Sequence, residues 1–473
     1  MGFQWSFFID LGIISLALLV ATLIRSRVPF FQKYLIPNAL TAGFLLLPFY
    51  NYLAPRLGLS ADGLGELVYH LLSFSFVAMS LRKRKPAPRR NSKGLLSTSV
   101  SIIYQYSLQG LLGLLVTFVL MSTFLPDLFP SFGLLLPLGF ALGPGQSYAI
   151  GKGWEEMGFS GAGSVGLTFA AIGFLWACFG GVYLINYGLR KGWMSRRRLE
   201  ALARSDVRSG ILARGERRPA GSRLTTESEA IDSMTVNLGV VLIAYLLSYL
   251  LLKLLTFLLA FAGDMGTELA VNLWGISFVF AALTAMAFRQ LLRLIRADHV
   301  LDNGSLTRIS GTSVDVMVAG AVGAISLVVV GQYWLPILIL SMLGAALVFL
   351  TVPWICSRLF VDHRFQRTLI IYGANTGTLP TGLALLRVMD PGFETPVASD
   401  YMYSSGITFA LVIPLILAIN LPAYSVTRGK PFLFWLTVLI FSGYLLFCIA
   451  AHYVMRRRRT FAHPGRLWLP GRD

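Results

Sequence analysis

The sequence predicts an all-α polytopic membrane protein with two inverted five-helix repeats, each carrying a re-entrant hairpin, plus a C-terminal extra transmembrane helix. Three observations lead to this prediction. Hydrophobic residues make up 55% of the chain and charged residues 13%, which is typical of chains with many membrane-spanning helices. Two apolar runs are interrupted midway by Gly, Pro, Asn and Thr. Basic residues cluster in the short loops between the runs, where they indicate orientation.

The first repeat is assigned to residues 1–189. Its uninterrupted apolar runs are long enough for a helix to cross the hydrocarbon core, and they lie at about 5–24, 35–53, 64–81, 96–124 and 160–189. A further run at 132–152 is interrupted by Gly143-Pro144-Gly145-Gln146-Ser147. Proline lacks an N–H group and glycine loosens a helix, so this run is not expected to form one continuous helix.

The second repeat is assigned to residues 234–425. It follows a polar stretch, 190–233, whose Arg, Ser, Thr and Glu residues are typical of a flexible linker. The uninterrupted runs of this half lie at 234–262, 270–288, 311–330, 334–357 and 400–424. The run at 368–388 is interrupted by Gly373 to Gly382, which includes Pro380. Residues 426–473 supply the extra transmembrane helix, at 431–454, and a basic tail.

The orientation follows from the basic clusters, which the positive-inside rule places in the cytoplasm. They are Arg25–Lys33, Arg82–Lys93, Arg190–Arg218, Arg289–Arg308, Arg358–Arg367 and Arg456–Arg459. All of them can be cytoplasmic only if each interrupted run enters the membrane and returns on its own side. The N-terminus is then outside, the linker and C-terminus are cytoplasmic, and the hairpins enter from opposite faces. Two matched interrupted segments of this kind indicate the binding site of a transporter.

The hairpins supply the candidate binding residues, because non-helical chain at membrane depth is stable only inside protein or beside a water-filled cavity. The candidates for substrate binding are Gly145, Gln146, Ser147, Asn375, Thr376, Gly377, Thr378 and Arg387. Helix N-termini at the breaks can receive a carboxylate, and Arg387 can pair with one bidentately. The alternatives are that the breaks are tight turns packed against helices, and that Arg387 extends to the inner membrane surface.

A sodium site is predicted because sodium, a hard cation, suits hydroxyl, carbonyl and carboxylate oxygens. Its candidate ligands are Asp315, Thr312 and Thr376. The alternative for Asp315 is an interfacial carboxylate in contact with cytoplasmic water.

Several other functions have little support in the sequence. The net charge of +18 is explained by the orienting loops, and no basic stretch carries a folded nucleic-acid-binding domain. The five histidines lack metal-ligand spacing, and the three cysteines lie in separate apolar runs. There is no P-loop and no hydrolase motif. We therefore expect no enzyme activity, and uphill transport would need an ion gradient.

Over residues 5–425 the chain resembles the bacterial sodium/glutamate symporter family. The resemblance lies in Lys33-Tyr34-Leu35-Ile36-Pro37 leading into Gly43, in the glycine-rich hairpin at 143–151 with Trp154 and Gly158-Phe159, and in the second hairpin. It implies an inverted five-plus-five topology, homodimers and sodium-coupled uptake of L-glutamate, with a hairpin-bearing core that moves against a scaffold. The chain departs from the family at Asn38, and at Gly143-Pro144-Gly145-Gln146 where the family has a Gly-Gly-x-Gly-like run.

Together these features predict a symporter of the bacterial inner membrane that takes up a small anionic solute with Na⁺ as the coupling ion, and L-glutamate is the solute that the resemblance implies. Two alternatives keep the same architecture. One is a passive channel or facilitator for an organic acid, and the other is a solute-binding sensor that has lost transport.

Overall fold

The computed structural model describes residues 5–34, 36–83, 92–193, 211, 220–261, 263, 270, 273–274, 277–390 and 395–469. Every regular element within these ranges is helical. Among them, nine helices are long and apolar enough to cross a membrane. The prediction of an all-α polytopic membrane protein is therefore confirmed. Most of the predicted linker 190–233 lies outside the described residues, as does the Leu35 of the family-like motif.

The helices before the linker are α1 (Ser6–Arg27), α2 (Pro29–Lys33), α3 (Asn38–Pro48), α4 (Asp62–Leu81), α5 (Ser92–Thr123), α6 (Phe132–Leu142), α7 (Pro144–Glu155) and α8 (Ala162–Arg190). Those after it are α9 (Ser233–Ala260), α10 (Ser277–Leu294), α11 (Asn303–Gly323), α12 (Leu327–Gln332), α13 (Trp334–Leu359), α14 (Arg364–Thr376), α15 (Leu379–Met389), α16 (Val397–Ala418), α17 (Leu421–Thr427) and α18 (Phe432–Arg456). The chain continues from α3 through two irregular helical turns, Phe49–Leu53 and Ala54–Leu57.

Several predicted runs have different bounds in the structure, and the physical reason is clear for two of them. The run 311–330 is divided between α11 and α12. The first of these helices begins earlier than the run because the Asp302 side chain accepts a hydrogen bond from the Ser305 N–H at 2.7 Å and caps the helix. The run 400–424 is divided into α16 and α17. The division lies just before Pro422, which cannot donate the hydrogen bond that a continuous helix needs at that position.

Six helices, α1, α3, α4, α9, α10 and α11, form what we call the first bundle. Within it α1 packs on α3 and α9 packs on α10. In addition α3 packs on α11, α10 packs on α4, and α4 and α11 pack on each other. Hydrogen bonds also join the ends of these helices between the two halves of the chain. The Asn51 side chain donates to the Ile325 carbonyl at 2.9 Å, and the Arg289 guanidinium donates to the Arg82 carbonyl.

The second bundle consists of α5, α8, α13, α16 and α18 packed around the two interrupted runs. It meets the first bundle chiefly where α7 packs on α4 and α11. Glycine allows the close approach there, because a β-carbon on Gly145 would lie 2.8 Å from a methyl carbon of Leu72 on α4.

The run predicted at 368–388 is a helical hairpin, hairpin 2, formed by α14 and α15 with the turn at Gly377 and Thr378. The arms are antiparallel and in close contact, since a β-carbon on Gly373 would lie 2.8 Å from the Cα of Gly382. Every residue of α14 is buried. The thirteen-residue α14 is about 20 Å long, which is shorter than the hydrocarbon core of a bilayer.

The run predicted at 132–152 also folds back on itself and forms hairpin 1, from α6 and α7. Its turn is Gly143, whose φ of 97° favours glycine. The two open ends lie together, because the Phe132 ring at the start of α6 is 5.5 Å from the Phe159 ring that follows α7. Both arms pack along α8, α6 through Gly139 and α7 through Gly151.

Candidate functional site

The turns of the two hairpins meet inside the second bundle. A β-carbon on Gly143, the turn of hairpin 1, would lie 3.0 Å from Thr378 Cγ2 in the turn of hairpin 2. On α8, Gly173 contacts the Thr376 carbonyl and the Phe140 ring, so this glycine touches both hairpins. The sequence indicates that the two matched breaks are parts of one binding site, and the fold places them side by side. We call this junction the tip site.

In hairpin 1 the three candidate residues lie in the first turn of α7, and all are buried. Gly145 packs on α4, and the Ser147 hydroxyl donates to the Pro144 carbonyl at 3.0 Å within its own helix. Gln146 is 5% exposed, and its Oε1 lies 3.8 Å from the position of a β-carbon on Gly143. Within the described ranges no hydrogen bond is found for the Gln146 side chain, which makes it the residue of this group with free polar atoms beside the tip site.

In hairpin 2 the candidate residues end α14 and begin α15. The Thr376 hydroxyl donates to the Tyr372 carbonyl at 2.8 Å, and the Thr378 N–H donates to Thr381 Oγ1 at 2.8 Å. Gly377 leaves no room for a side chain, since a β-carbon would lie 2.6 Å from Thr381 Oγ1. These groups shape the turn, and Thr381 Oγ1 also donates to the Gly373 carbonyl at 2.8 Å. The Thr376 carbonyl and the hydroxyl lone pairs remain as acceptors.

Two buried amide oxygens mark the tip site. Asn375, 1% exposed, donates its Nδ2–H to the Ile371 carbonyl at 2.8 Å. Gln109 on α5, 0% exposed, donates its Nε2–H to the Asn375 backbone carbonyl at 3.1 Å. In the part of the chain that the structure describes, Asn375 Oδ1 and Gln109 Oε1 have no hydrogen-bond partner. Unpartnered buried oxygens cost free energy, and a cation or a donor group of a ligand would satisfy them.

Gln109 is not among the binding residues that the sequence predicts. The available signal was an amide side chain near the middle of α5, whose residues from Leu96 to Thr123 carry no charge. Polar groups at membrane depth usually have a functional or structural partner. The partner here is 266 residues away in the sequence, so only the fold identifies it.

The helix ends at the tip site carry complementary partial charges. The N-termini of α7 and α15 lie at the two adjoining turns, and each carries a partial positive charge that favours an anion. The C-termini of α6 and α14 lie at the same junction, and each carries a partial negative charge that favours a cation. The junction can therefore bind an anion and a cation close together without a charged side chain.

Three predicted residues lie apart from this junction. Arg387 is exposed near the end of α15, nine residues or about 14 Å along the helix from Thr378. Asp315 and Thr312 are exposed on α11, which packs on α3, α4 and α7 and is not a main neighbour of α14. The structure thus groups Gln146, Asn375, Thr376, Gly377 and Thr378 at the tips, and it does not group the three predicted sodium ligands there.

The turn of hairpin 2 is partly accessible. Thr378 and Leu379 are half-buried and Pro380 is exposed, whereas the preceding residues of α14 are buried. A cavity of about 490 Å³ lies elsewhere, between α9 and α10, and is lined by apolar residues and Thr284.

No family model matches this chain, and neither a curated protein nor a solved structure matches it. The likeness to the sodium/glutamate symporter family therefore remains a resemblance of motifs, and functional inference depends on the residues and geometry described above.

Proposed function

We propose that this chain is a sodium-coupled secondary transporter that takes up a small carboxylate solute by alternating access. The observation that carries the proposal is the meeting of two hairpin turns at a junction that holds unpartnered buried oxygens and four helix ends. Matched interrupted segments with their ends at a common point are how secondary transporters bind solute and coupling ion near the middle of the membrane.

The proposed architecture is the inverted repeat. It is supported by the packing of the first bundle, in which α1, α3 and α4 correspond to α9, α10 and α11. The contact of α1 with α3 corresponds to that of α9 with α10, and the contact of α3 with α11 corresponds to that of α10 with α4. The joined loop ends follow the same pairing. Asn51, after α3, binds the carbonyl of Ile325 just beyond α11, and Arg289, on α10, binds the carbonyl of Arg82 just beyond α4. With the basic clusters cytoplasmic, the hairpins would enter from opposite faces of the inner membrane.

The proposed sodium ligands are Asn375 Oδ1, Gln109 Oε1 and carbonyls at the end of α14. Amide and carbonyl oxygens suit a hard cation, and the helix C-terminus adds a favourable partial charge. This set replaces Asp315 and Thr312, which lie exposed on α11. Thr376 Oγ1 remains a candidate, because its hydroxyl donates to the Tyr372 carbonyl and keeps lone pairs that can accept.

The two bundles provide a basis for alternating access. The second bundle carries both hairpins and contacts the first bundle mainly through α7, so it is the unit we propose to move. The first bundle exposes apolar side chains along α1 and α9. These faces offer surface for lipid and for the second copy in the homodimer that the resemblance implies.

The test is uptake into proteoliposomes, with a panel of small carboxylates that includes L-glutamate. An inward sodium gradient should drive accumulation, and Asn375→Ala should lower it by about tenfold or more because a buried ligand oxygen is lost. Asn186→Ala is the matched control. The Asn186 side chain donates to the Val182 carbonyl, four residues earlier, at 3.0 Å, as the Asn375 side chain does to the Ile371 carbonyl. Asn186, however, is exposed near the end of α8.

Three results would contradict the proposal. Equilibration without accumulation would indicate a facilitator, sodium-dependent binding without transport would indicate a sensor, and equal uptake by the two Asn variants would remove the tip site from the mechanism.

A further inference from the structure

The charges around the tip site set the class of solute. We infer that the site binds a solute with one carboxylate, either a monocarboxylate or a zwitterion with a neutral side chain, and discriminates against dicarboxylates such as L-glutamate. The inference depends on the proposed function and specifies the solute of the same site. It differs from what the family resemblance implies.

The first observation is the absence of basic residues from the segments around the junction. The hairpins and the helices packed on them contain no lysine or arginine over their central lengths, which are 128–151, 368–386, 96–126, 162–189, 334–357 and 401–427. The same holds for α4 and for residues 309–323 of α11, both of which pack on α7. A second carboxylate in this junction would have no cationic side chain of these segments beside it.

The second observation is that the buried arginines nearest in sequence lie at the base of hairpin 2. Arg358 donates to the backbone carbonyls of Ala462 and His463 in the C-terminal tail, at 3.1 and 2.8 Å. Arg367 pairs with Asp400 at 2.7 Å, and it lies eight residues, about 12 Å of helix, before Asn375. These arginines have partners at the base of hairpin 2. The guanidinium of Arg25 on α1 interacts with Cys178 on α8, and it donates to the Ile36 carbonyl at 2.7 Å.

The third observation concerns the charges that the tip site does have. The N-termini of α7 and α15, each equivalent to about +0.5 charge, together balance about one carboxylate only when a cation occupies the C-termini of α6 and α14, which are each equivalent to about −0.5. The other neighbours of the site include the apolar side chains of Phe140, Phe174 and Ala177. These side chains cannot compensate the negative charge of a second carboxylate. The unpartnered Asn375 Oδ1 and Gln109 Oε1 would repel a carboxylate, whereas they can accept from an ammonium group or bind Na⁺.

The experiment compares solutes that differ only in the second carboxylate. Sodium-dependent thermal stabilisation of the purified protein and uptake in proteoliposomes are measured for L-glutamate against L-glutamine and for succinate against succinamate, with L-alanine and lactate as smaller solutes. We expect the singly charged solutes to bind more tightly than the dicarboxylates, by about a hundredfold, which corresponds to the cost of one uncompensated charge at membrane depth.

A charge-insertion variant tests the same reasoning. Pro380 is exposed beside the turn of hairpin 2, so Pro380→Lys can be accommodated at the surface of the site. It should shift the preference toward the dicarboxylate by about tenfold, while the uncharged control Pro380→Gln should leave the preference unchanged.

The outcomes separate this inference from the proposed function. If sodium drives accumulation and L-glutamate or succinate binds as tightly as its amide, the inference is overturned and the transport function stands. If no solute of the panel accumulates with sodium, the proposed function is overturned and this inference with it.

Discussion

Replacing Gln109 by leucine tests whether the two unpartnered oxygens form a cation site. The change removes the 3.1 Å bond and leaves the buried Asn375 carbonyl without this donor, which costs about 1–3 kcal/mol, and it also removes the buried Oε1 without a partner, which recovers about 1–3 kcal/mol. Without sodium, the free energy of unfolding of the variant should therefore lie within about 1–2 kcal/mol of the parent protein, on either side.

Sodium should distinguish the two proteins. At a concentration of 100 times its Kd, a bound ion adds about 2.7 kcal/mol of stability. Gln109→Leu should lose most of this increment, because one of the proposed ligand oxygens is gone. The assay is thermal unfolding in detergent in NaCl and in choline chloride at equal ionic strength, so that general salt effects cancel.

Gln105→Leu is the matched control for this experiment. Gln105 lies one turn earlier on α5 and is 1% exposed, but its Oε1 accepts a hydrogen bond from the Thr351 hydroxyl at 3.1 Å. Its replacement should lower stability by about 1 kcal/mol equally in both salts. A full sodium increment in Gln109→Leu, or an equal loss of the increment in the two variants, would refute the assignment of Gln109 as a ligand.

Three further predictions concern the hairpins and their supports. Gly173→Ala would force its β-carbon against the carbonyl at the end of α14, so we expect a destabilisation of about 1–3 kcal/mol and reduced uptake, measured by thermal unfolding and proteoliposome assay. Arg367→Met should cost about 3–5 kcal/mol because it leaves Asp400 without its 2.7 Å partner, and the double variant with Asp400→Asn should recover part of that loss in the same unfolding assay. At Asp302, partial burial raises the carboxyl pKa, and hydrogen bonds from backbone N–H groups lower it. The hydrogen bonds together have the larger effect, so the pKa lies below its ordinary value. The carboxylate therefore stabilises the fold above about pH 4, and this contribution is lost as the pH falls. Asp302→Asn should flatten the acid decline in melting temperature, and an unchanged decline would contradict this role.

The sequence was a good guide to the individual segments. Runs of apolar residues predict membrane helices because lipid requires every backbone group to be paired within the segment. The breaks at Gly143-Pro144 and at Gly377 to Pro380 could be located because local chemistry decides where a helix cannot continue. The structure departs from the predicted runs 311–330 and 400–424. Asp302 caps α11 before the first run begins, and Pro422 ends the continuous helix before the second run ends.

The sequence also predicted which polar residues sit at the turns, and Asn375, Thr376 and Thr378 lie there in the structure. It could not predict the partners of these residues. The contact of Gln109 with Asn375 joins segments 266 positions apart, and no spacing along the chain encodes that distance.

The sequence by itself determined the membrane-spanning character of this protein and the positions where two helices must turn, because these depend on hydrophobicity and on backbone groups within one segment. Only the tertiary structure decided that the turns adjoin, that two amide oxygens are left without partners, and that Arg387 and Asp315 lie apart from them. These features arise from how helices pack side by side, and packing is set by close glycine contacts such as that of Gly173 with the end of α14.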